Sequence, residues 1–185
     1  MENISRRTAI KTALVGGAAL AVSGLEAANP AKKKKAETKE PLKGNVRHSV
    51  SKWCFGDYPL EEFCGICKNI GIESIELLDP KDWPVVQKHG LTVAMCQGAG
   101  LGIDRGFNDP KLHDELVASY EAVIPQVAAA GLTNLICFSG KRNGLTDLQG
   151  WENCEKGLKR LMPLAEKHNV VLTMELLNSA GHKDY

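Results

Sequence analysis

The chain has 185 residues, 43% of them hydrophobic, 24% charged and 5% aromatic, with a formal net charge of +1, which is ordinary globular composition with apolar side chains for one core. That charge is unevenly placed: residues 1–44 hold nine Lys/Arg against four Asp/Glu, leaving 14 against 18 in residues 45–185. A mildly acidic body poor in aromatics offers no basic patch to a phosphate backbone, so nucleic-acid binding is set aside and a small polar substrate is expected.

The first residues read Ser5-Arg6-Arg7-Thr8-Ala9-Ile10-Lys11, followed by an uncharged apolar stretch from Ala13 to Leu25 and small residues at Ala27 and Ala28. Paired arginines, a short Gly/Ala-rich apolar run and a small-residue cleavage site, in that order, resemble a twin-arginine export signal over residues 1–28. Ala9 departs from the usual pattern, where a Phe is common. The run is too short to span a bilayer comfortably, so no stable membrane span is expected once it is removed, and the product is expected to be periplasmic or otherwise extracytoplasmic; an uncleaved N-terminal anchor or a chance Arg pair in a disordered tail is the alternative. Residues 29–44, with Lys32 to Lys35 in one block, repel one another and read as a solvated linker. The folded domain is expected to occupy residues 45–185.

From there short apolar runs alternate with helical patterns. Val46 to Trp53 is predicted as the first strand. Leu60, Phe63, Ile66, Cys67 and Ile70 mark the apolar face of a first helix, which Gly71 ends before a second strand, Ile72 to Leu78. A second helix is weakly marked, because Trp83-Pro84 interrupts it. Gly90 precedes a third strand, Leu91 to Cys96. Asp109-Pro110 opens a third helix with its stripe at Leu112, Leu116, Tyr120, Val123, Ile124 and Val127, and Pro125 is expected to kink it. Gly131 leads into a fourth strand, Leu132 to Phe138. Thr146 and Gln149 have capping-box spacing for a fourth helix striped by Trp151, Cys154, Leu158, Leu161 and Ala165, with Pro163 as a second kink. Asn169 ends it before a fifth strand, Val170 to Leu176.

Strands alternating with helices imply a parallel sheet covered by helices. Two architectures compete, a doubly wound sheet and the opening part of an eight-stranded barrel. The turn after the first strand, Lys52-Trp53-Cys54-Phe55-Gly56-Asp57, is no glycine-rich phosphate cradle, and no helix follows the fifth strand. The expected fold class is therefore α/β, an incomplete (β/α)8 TIM barrel comprising about five strands and four helices.

In such folds the active site lies at the C-terminal ends of the strands. Glu175 closes an otherwise apolar strand there, where an unpaired buried carboxylate costs several kcal/mol unless a cation or hydrogen bonds compensate it. A divalent metal and a structural salt bridge both answer that need.

The stretches His48-Ser49-Val50-Ser51-Lys52-Trp53-Cys54-Phe55, Ile136-Cys137-Phe138-Ser139-Gly140-Lys141-Arg142 and Thr173-Met174-Glu175-Leu176-Leu177-Asn178-Ser179 resemble hydroxypyruvate-isomerase-like members of the xylose isomerase-type barrels, over nearly all of residues 45–185. The resemblance implies a divalent ion, Mg2+ or Mn2+, held by four side chains, of which only the Glu after strand five has a counterpart here, Glu175; the other ligands are expected beyond residue 185. It implies interconversion of a small hydroxy-aldehyde and hydroxy-ketone through an ene-diolate, with Glu175 a metal ligand that moves the proton together with a second Glu expected beyond residue 185, so that this chain alone is expected to be inactive. The substrate is a sugar or hydroxy-keto acid. A keto-sugar 3-epimerase uses the same metal and carboxylates, and a non-catalytic exported barrel is the rival outside enzymes. Glu76, near the end of strand two, either hydrogen-bonds substrate or orients a loop. Arg142, just after strand four, either holds a substrate carboxylate or is a solvated loop residue. His48 and Trp53 either line the pocket or pack in the core, and Asn178 and His182 lie in the loop after Glu175, where relatives place substrate-facing groups. The quaternary state stays open, a homo-oligomer included.

Cys64-Gly65-Ile66-Cys67 has the spacing of a thiol-redox pair. It falls well inside an amphipathic helix, away from the N-terminal dipole that lowers a catalytic thiol pKa, so redox chemistry is not expected. Cys96 and Cys137 are expected in buried strands as small apolar residues.

Overall fold

The computed structural model describes residues 45–175, 177, 180, 181 and 184. The leader and linker readings therefore lie outside the described residues, as do those for Asn178 and His182. Among the described residues no helix is long and apolar enough to cross a membrane. All described residues belong to one unit, Pro41–Tyr185.

The helix stops fall where glycine and asparagine announce them. Helix α1 (Leu60–Ile70) ends on Gly71 at φ 87°, with its N–H donating to the carbonyls of Cys67 and Lys68. Asn169 closes α5 (Met162–His168) at φ 53° in the same left-handed cap. An ordinary L-residue disfavours this conformation, and glycine and asparagine tolerate it, so the reversal into the next strand is written locally. Helix α4 (Asp147–Lys159) starts with a complete capping box, in which the Thr146 hydroxyl accepts from the Gln149 N–H and the Gln149 side chain accepts from the Thr146 N–H.

Three prolines behave differently from the sequence reading or refine it. Trp83-Pro84 opens α2 (Trp83–Lys88), with Pro84 in the first turn, where its missing N–H has no partner to lose. Pro163 takes the same position in α5, so the expected fourth helix is two helices broken at Arg160 and Leu161. Pro125 is accommodated inside α3 (His113–Ala129), which a short 3-10 turn, Pro110–Leu112, precedes, with the Asp109 carboxylate accepting from the Lys111 N–H.

Strands β1 (Ser49–Ser51) and β2 (Ser74–Glu76) pair in parallel, as do β3 (Asn134–Cys137) and β4 (Val171–Met174). The expected third strand lies between the two pairs. Parallel bridges join Ser74 to Thr92, Leu78 to Cys96 and Cys96 to Leu135, so the order across the sheet follows the chain. This segment does not form a regular ladder because side chains replace main-chain partners at Ala94: its N–H donates to Ser74 Oγ at 2.7 Å and its carbonyl accepts from Asn134 Nδ2 at 2.8 Å. The first strand is also shorter than predicted, since Lys52–Phe55 coils into a 3-10 turn fixed by Lys52 Nζ donating to the Phe55 carbonyl.

Sequential parallel order without a reversal is the arrangement of a barrel wall. A doubly wound sheet would change direction at a switch point. Alternate residues sort to the two faces. Ile75, Val93, Leu135 and Cys137 enter one apolar core with Phe63, Cys64, Leu116, Ile124 and Leu161 from the helices, and Val50, Leu172 and Met174 pack against it. Three expected stripe residues are not in that core: Trp151 is 65% exposed, Ile70 57% and Ile66 37%.

Candidate functional site

The opposite face of the same strands carries a different set of side chains. Ser49 and Ser51 come from β1, Ser74 and Glu76 from β2, Asn134 and Ile136 from β3, and Thr173, followed by Glu175, from β4. At the C-terminal ends of the strands this face opens into a cavity of about 570 Å³. Its polar lining is Ser51, Glu76, Gln97, Thr173 and Glu175, and its apolar lining is Trp53, Leu77, Met95, Ile103, Ile136, Phe138 and Leu177. Mixed linings of this kind, at this end of a parallel sheet, are where small molecules bind.

Register explains the convergence. Ser51 pairs with Glu76, and the β3–β4 ladder continues past Cys137–Met174 through the Glu175 N–H, which donates to the Cys137 carbonyl at 3.0 Å. Glu175 thus leaves β4 beside Phe138, pointing to the face that carries Thr173. Regular alternation would turn Leu77 away from the cavity that Glu76 faces. A left-handed φ of 59° at Leu77 breaks the alternation, so that both residues line the cavity, at a backbone cost of about 1 kcal/mol.

The two carboxylates are held differently. Glu76 is half-buried, and its Oε1 accepts a hydrogen bond from the Ser49 hydroxyl. Glu175 is exposed, which corrects one step of the sequence argument: β4 is only partly buried, with Val171 56% exposed, so burial does not by itself demand a compensating cation. As donors, both carboxylates are the hard oxygen type that Mg2+ and Mn2+ take. Among the described residues, no group of three or more His, Cys, Asp or Glu could hold a metal ion. The donors therefore fit a divalent cation in kind and supply only part of a coordination shell.

The other residues singled out from the sequence separate. Trp53 lines the cavity and is 72% exposed. His48 sits on the N-terminal side of β1, exposed, with its carbonyl accepting from the Glu73 N–H. Arg142 lines a second cavity of about 620 Å³ on the helix side of β4, with Trp151, Leu158, Met162 and Met174. Its guanidinium pairs with Asp147 at 2.8 Å, and its N–H donates to the Asp184 carbonyl. The structure does not bring Arg142 to the cavity of Glu76 and Glu175. Ser51, Gln97, Phe138 and Thr173 were missed. Counting back in twos from Trp53 and Glu175 would have found Ser51 and Thr173.

The Cys64/Cys67 pair is buried in α1, beginning in its second turn, and burial pushes both thiols above their ordinary range. Burial likewise pushes Cys96 and Cys137 up to about 12. Cys96 lies in the bridged middle segment instead of a regular strand. These are packing thiols.

The architecture is thus part of a (β/α)8 TIM barrel with a cavity at the C-terminal ends of its strands, and solved structures share this fold. An AP endonuclease of family 2 from Brucella melitensis superposes with a TM-score of 0.65 at 18% identity, covering 75% of this chain and 58% of that one. A 3-keto-D-glucoside 4-epimerase from E. coli gives 0.56 at 17% identity, over 72% and 57%. A xylose isomerase domain containing protein from Salmonella typhimurium gives 0.54 at 18% identity, over 71% and 49%. The chain spans 49–58% of the length of these three structures. No protein-family model matches the sequence, and no curated protein matches it.

Proposed function

We propose that the protein belongs to a metal-dependent isomerase or epimerase acting on a small hydroxy-carbonyl compound. The observation that carries this reading is the convergence of Glu76 and Glu175, from two separate strands, on one cavity at the C-terminal end of a barrel wall. Glu175 would be one ligand of a divalent ion, with further ligands from outside the described residues. When bound, such an ion supplies Lewis acidity that polarises a carbonyl and makes the adjacent C–H more acidic.

The chain's own groups do the rest. Glu175 takes a proton from the carbon next to the carbonyl. Delivery of that proton to the neighbouring carbon, with the hydroxyl proton passing to the former carbonyl oxygen, gives aldose–ketose isomerisation, as in a hydroxypyruvate-isomerase-like enzyme; delivery of a proton to the opposite face of the same carbon by a second acid group across the substrate, from outside the described residues, gives epimerisation. Glu76, fixed by the Ser49 hydroxyl, accepts a substrate hydroxyl. Trp53 and Phe138 shield the reacting carbon from water. Calorimetric titration with Mn2+ of the complete protein, which carries the further ligands, tests the metal: binding weakened at least tenfold by Glu175→Gln supports the assignment, and equal binding by both proteins contradicts it.

The twin-arginine-like leader supports a place outside the cytoplasm. A reporter fused after residue 44 should reach the periplasm, and Arg6→Lys/Arg7→Lys should retain it inside. Export of the double variant at the normal level would sink that reading.

A further inference from the structure

On the isomerase or epimerase reading above, we propose that Leu77 is a specificity-determining residue: held in a strained backbone conformation, it forms with Met95 an apolar wall beside Glu76 that limits the length of the carbon chain accepted there. Core residues fall three apart both in β2, at Ile75 and Leu78, and in the middle segment, at Val93 and Cys96, where a regular strand allows even steps only. The two irregularities lie at the same level. The Leu77 N–H donates to the Met95 carbonyl at 2.9 Å, Leu77 has a left-handed φ of 59°, and at Ala94 the Ser74 and Asn134 side chains replace main-chain partners. The pairing slips as it passes them. The Ile75 N–H donates to the Thr92 carbonyl and the Gln97 N–H to the Leu78 carbonyl, so three residue steps along β2 match five along the middle segment, as in a bulge that re-aims side chains.

Leu77 and Met95 are left half-buried on the cavity wall, while Ile75, Leu78, Val93 and Cys96 around them are buried in the core. The left-handed caps at Gly71 and Asn169 use residues that tolerate that conformation; Leu77 is held there against its backbone preference, which is the pattern of a site residue. Leu77 follows Glu76 directly. A ligand hydroxyl accepted by Glu76 therefore brings the adjoining carbons against Leu77 and Met95, and a further carbon on that side meets the Leu77 side chain. One carbon more or less against an apolar wall changes selection by about tenfold or more.

Two measurements test the role of Leu77. Thermal melts of the 185-residue chain separate it from core packing: Leu77→Ala should melt within about 4 °C of the wild type, whereas Leu135→Ala, which empties a fully buried site, should fall by more than about 8 °C. Turnover by the complete protein with Mn2+ is then compared on D-xylulose and D-fructose, which differ by one carbon. Leu77→Ala should raise the ratio of kcat/KM for D-fructose over D-xylulose by about tenfold or more, and Leu77→Phe should lower it by about tenfold. A ratio within about threefold of the wild type in both variants, or a Leu77→Ala protein that melts as low as Leu135→Ala, overturns the role of Leu77 and leaves the reaction untouched. Conversion of neither ketose by the wild type with Mn2+ overturns the isomerase or epimerase reading and this inference with it.

Discussion

Replacing Gly106 with alanine should damage the wall of the cavity from a position no catalytic argument would single out. A Cβ at Gly106 would lie 2.3 Å from the main-chain N of Gly140, the carbonyl O of Phe138 and the carbonyl C of Ser139. All three are backbone atoms, so no flexible side chain can yield, and the two segments must part by about 1 Å to reach ordinary contact. That displacement breaks the bonds from the Phe107 N–H to the Phe138 carbonyl (3.0 Å) and from the Asn108 N–H to the Ser139 carbonyl (2.8 Å). It also disturbs Phe107, which is fully buried. Two hydrogen bonds at about 1 kcal/mol each, plus overpacking of about 1–2 kcal/mol, predict a loss of roughly 3–4 kcal/mol. For a folded part of this size that lowers the Tm by roughly 10–15 °C. Guanidinium denaturation followed by circular dichroism measures the effect. Gly150→Ala is the matched control: nothing lies within 4 Å of its Cβ, it sits in α4, and alanine there should stabilise by about 0.5–1 kcal/mol. A Gly106→Ala protein within about 0.5 kcal/mol of wild type, or a Gly150→Ala protein equally destabilised, would refute the packing argument.

Two further predictions concern buried polar groups. Tyr120 is 1% exposed and its hydroxyl donates to the Ile136 carbonyl at 2.9 Å, so Tyr120→Phe should cost about 1–2 kcal/mol in the same denaturation assay; a neutral substitution would mean that the carbonyl finds another partner. The thiols give a pH dependence. Cys96 and Cys137 are pushed up to about 12 and Cys154 to about 11 from 9.0, all chiefly by burial. Above pH 9 the unfolded chain sheds these protons while the folded one retains them, so stability should fall as pH rises from 9 towards 11. A disulfide reagent at pH 8 should meet one fast-reacting thiol, Cys54, which is exposed, and five protected ones. A rapidly reacting Cys64 would reopen the redox reading.

Local signals carried most of the fold. The αL caps at Gly71 and Asn169, the capping box at Thr146 and the α3 stripe depend on residues within one or two turns of each other, and they appear as read. Errors arose where distant side chains decide. The middle strand loses its regular ladder because Ser74 and Asn134, twenty and forty residues from Ala94, supply its hydrogen bonds. Proline alone does not say whether it kinks a helix or opens one, and at Pro84 and Pro163 it opens one. Trp151 satisfies the helical spacing yet remains mostly exposed, because periodicity cannot state whether a neighbour covers that face.

The same division holds for the site. Glu175 was legible as a polar residue at a strand end, and Glu76 shares its cavity because parallel register aligns the ends of successive strands. Arg142 follows β3 just as closely, but the loop after Phe138 carries it to the helix side, where Asp147 pairs with it. Loop direction is set by contacts such as the Asn108 side-chain bonds to the Gly140 and Lys141 carbonyls, which no spacing rule foretells.

The central claim is that Glu175 moves a proton at the carbon beside a carbonyl with the help of a divalent ion. Its most direct test is solvent deuterium exchange into D-fructose, followed by proton NMR, with Mn2+ and the complete protein that carries the remaining ligands. The account predicts exchange at a carbon adjacent to the ketone that requires Mn2+ and is abolished in Glu175→Gln. Exchange at the wild-type rate in Glu175→Gln would contradict it, as would the absence of any exchange in the wild type with Mn2+ present.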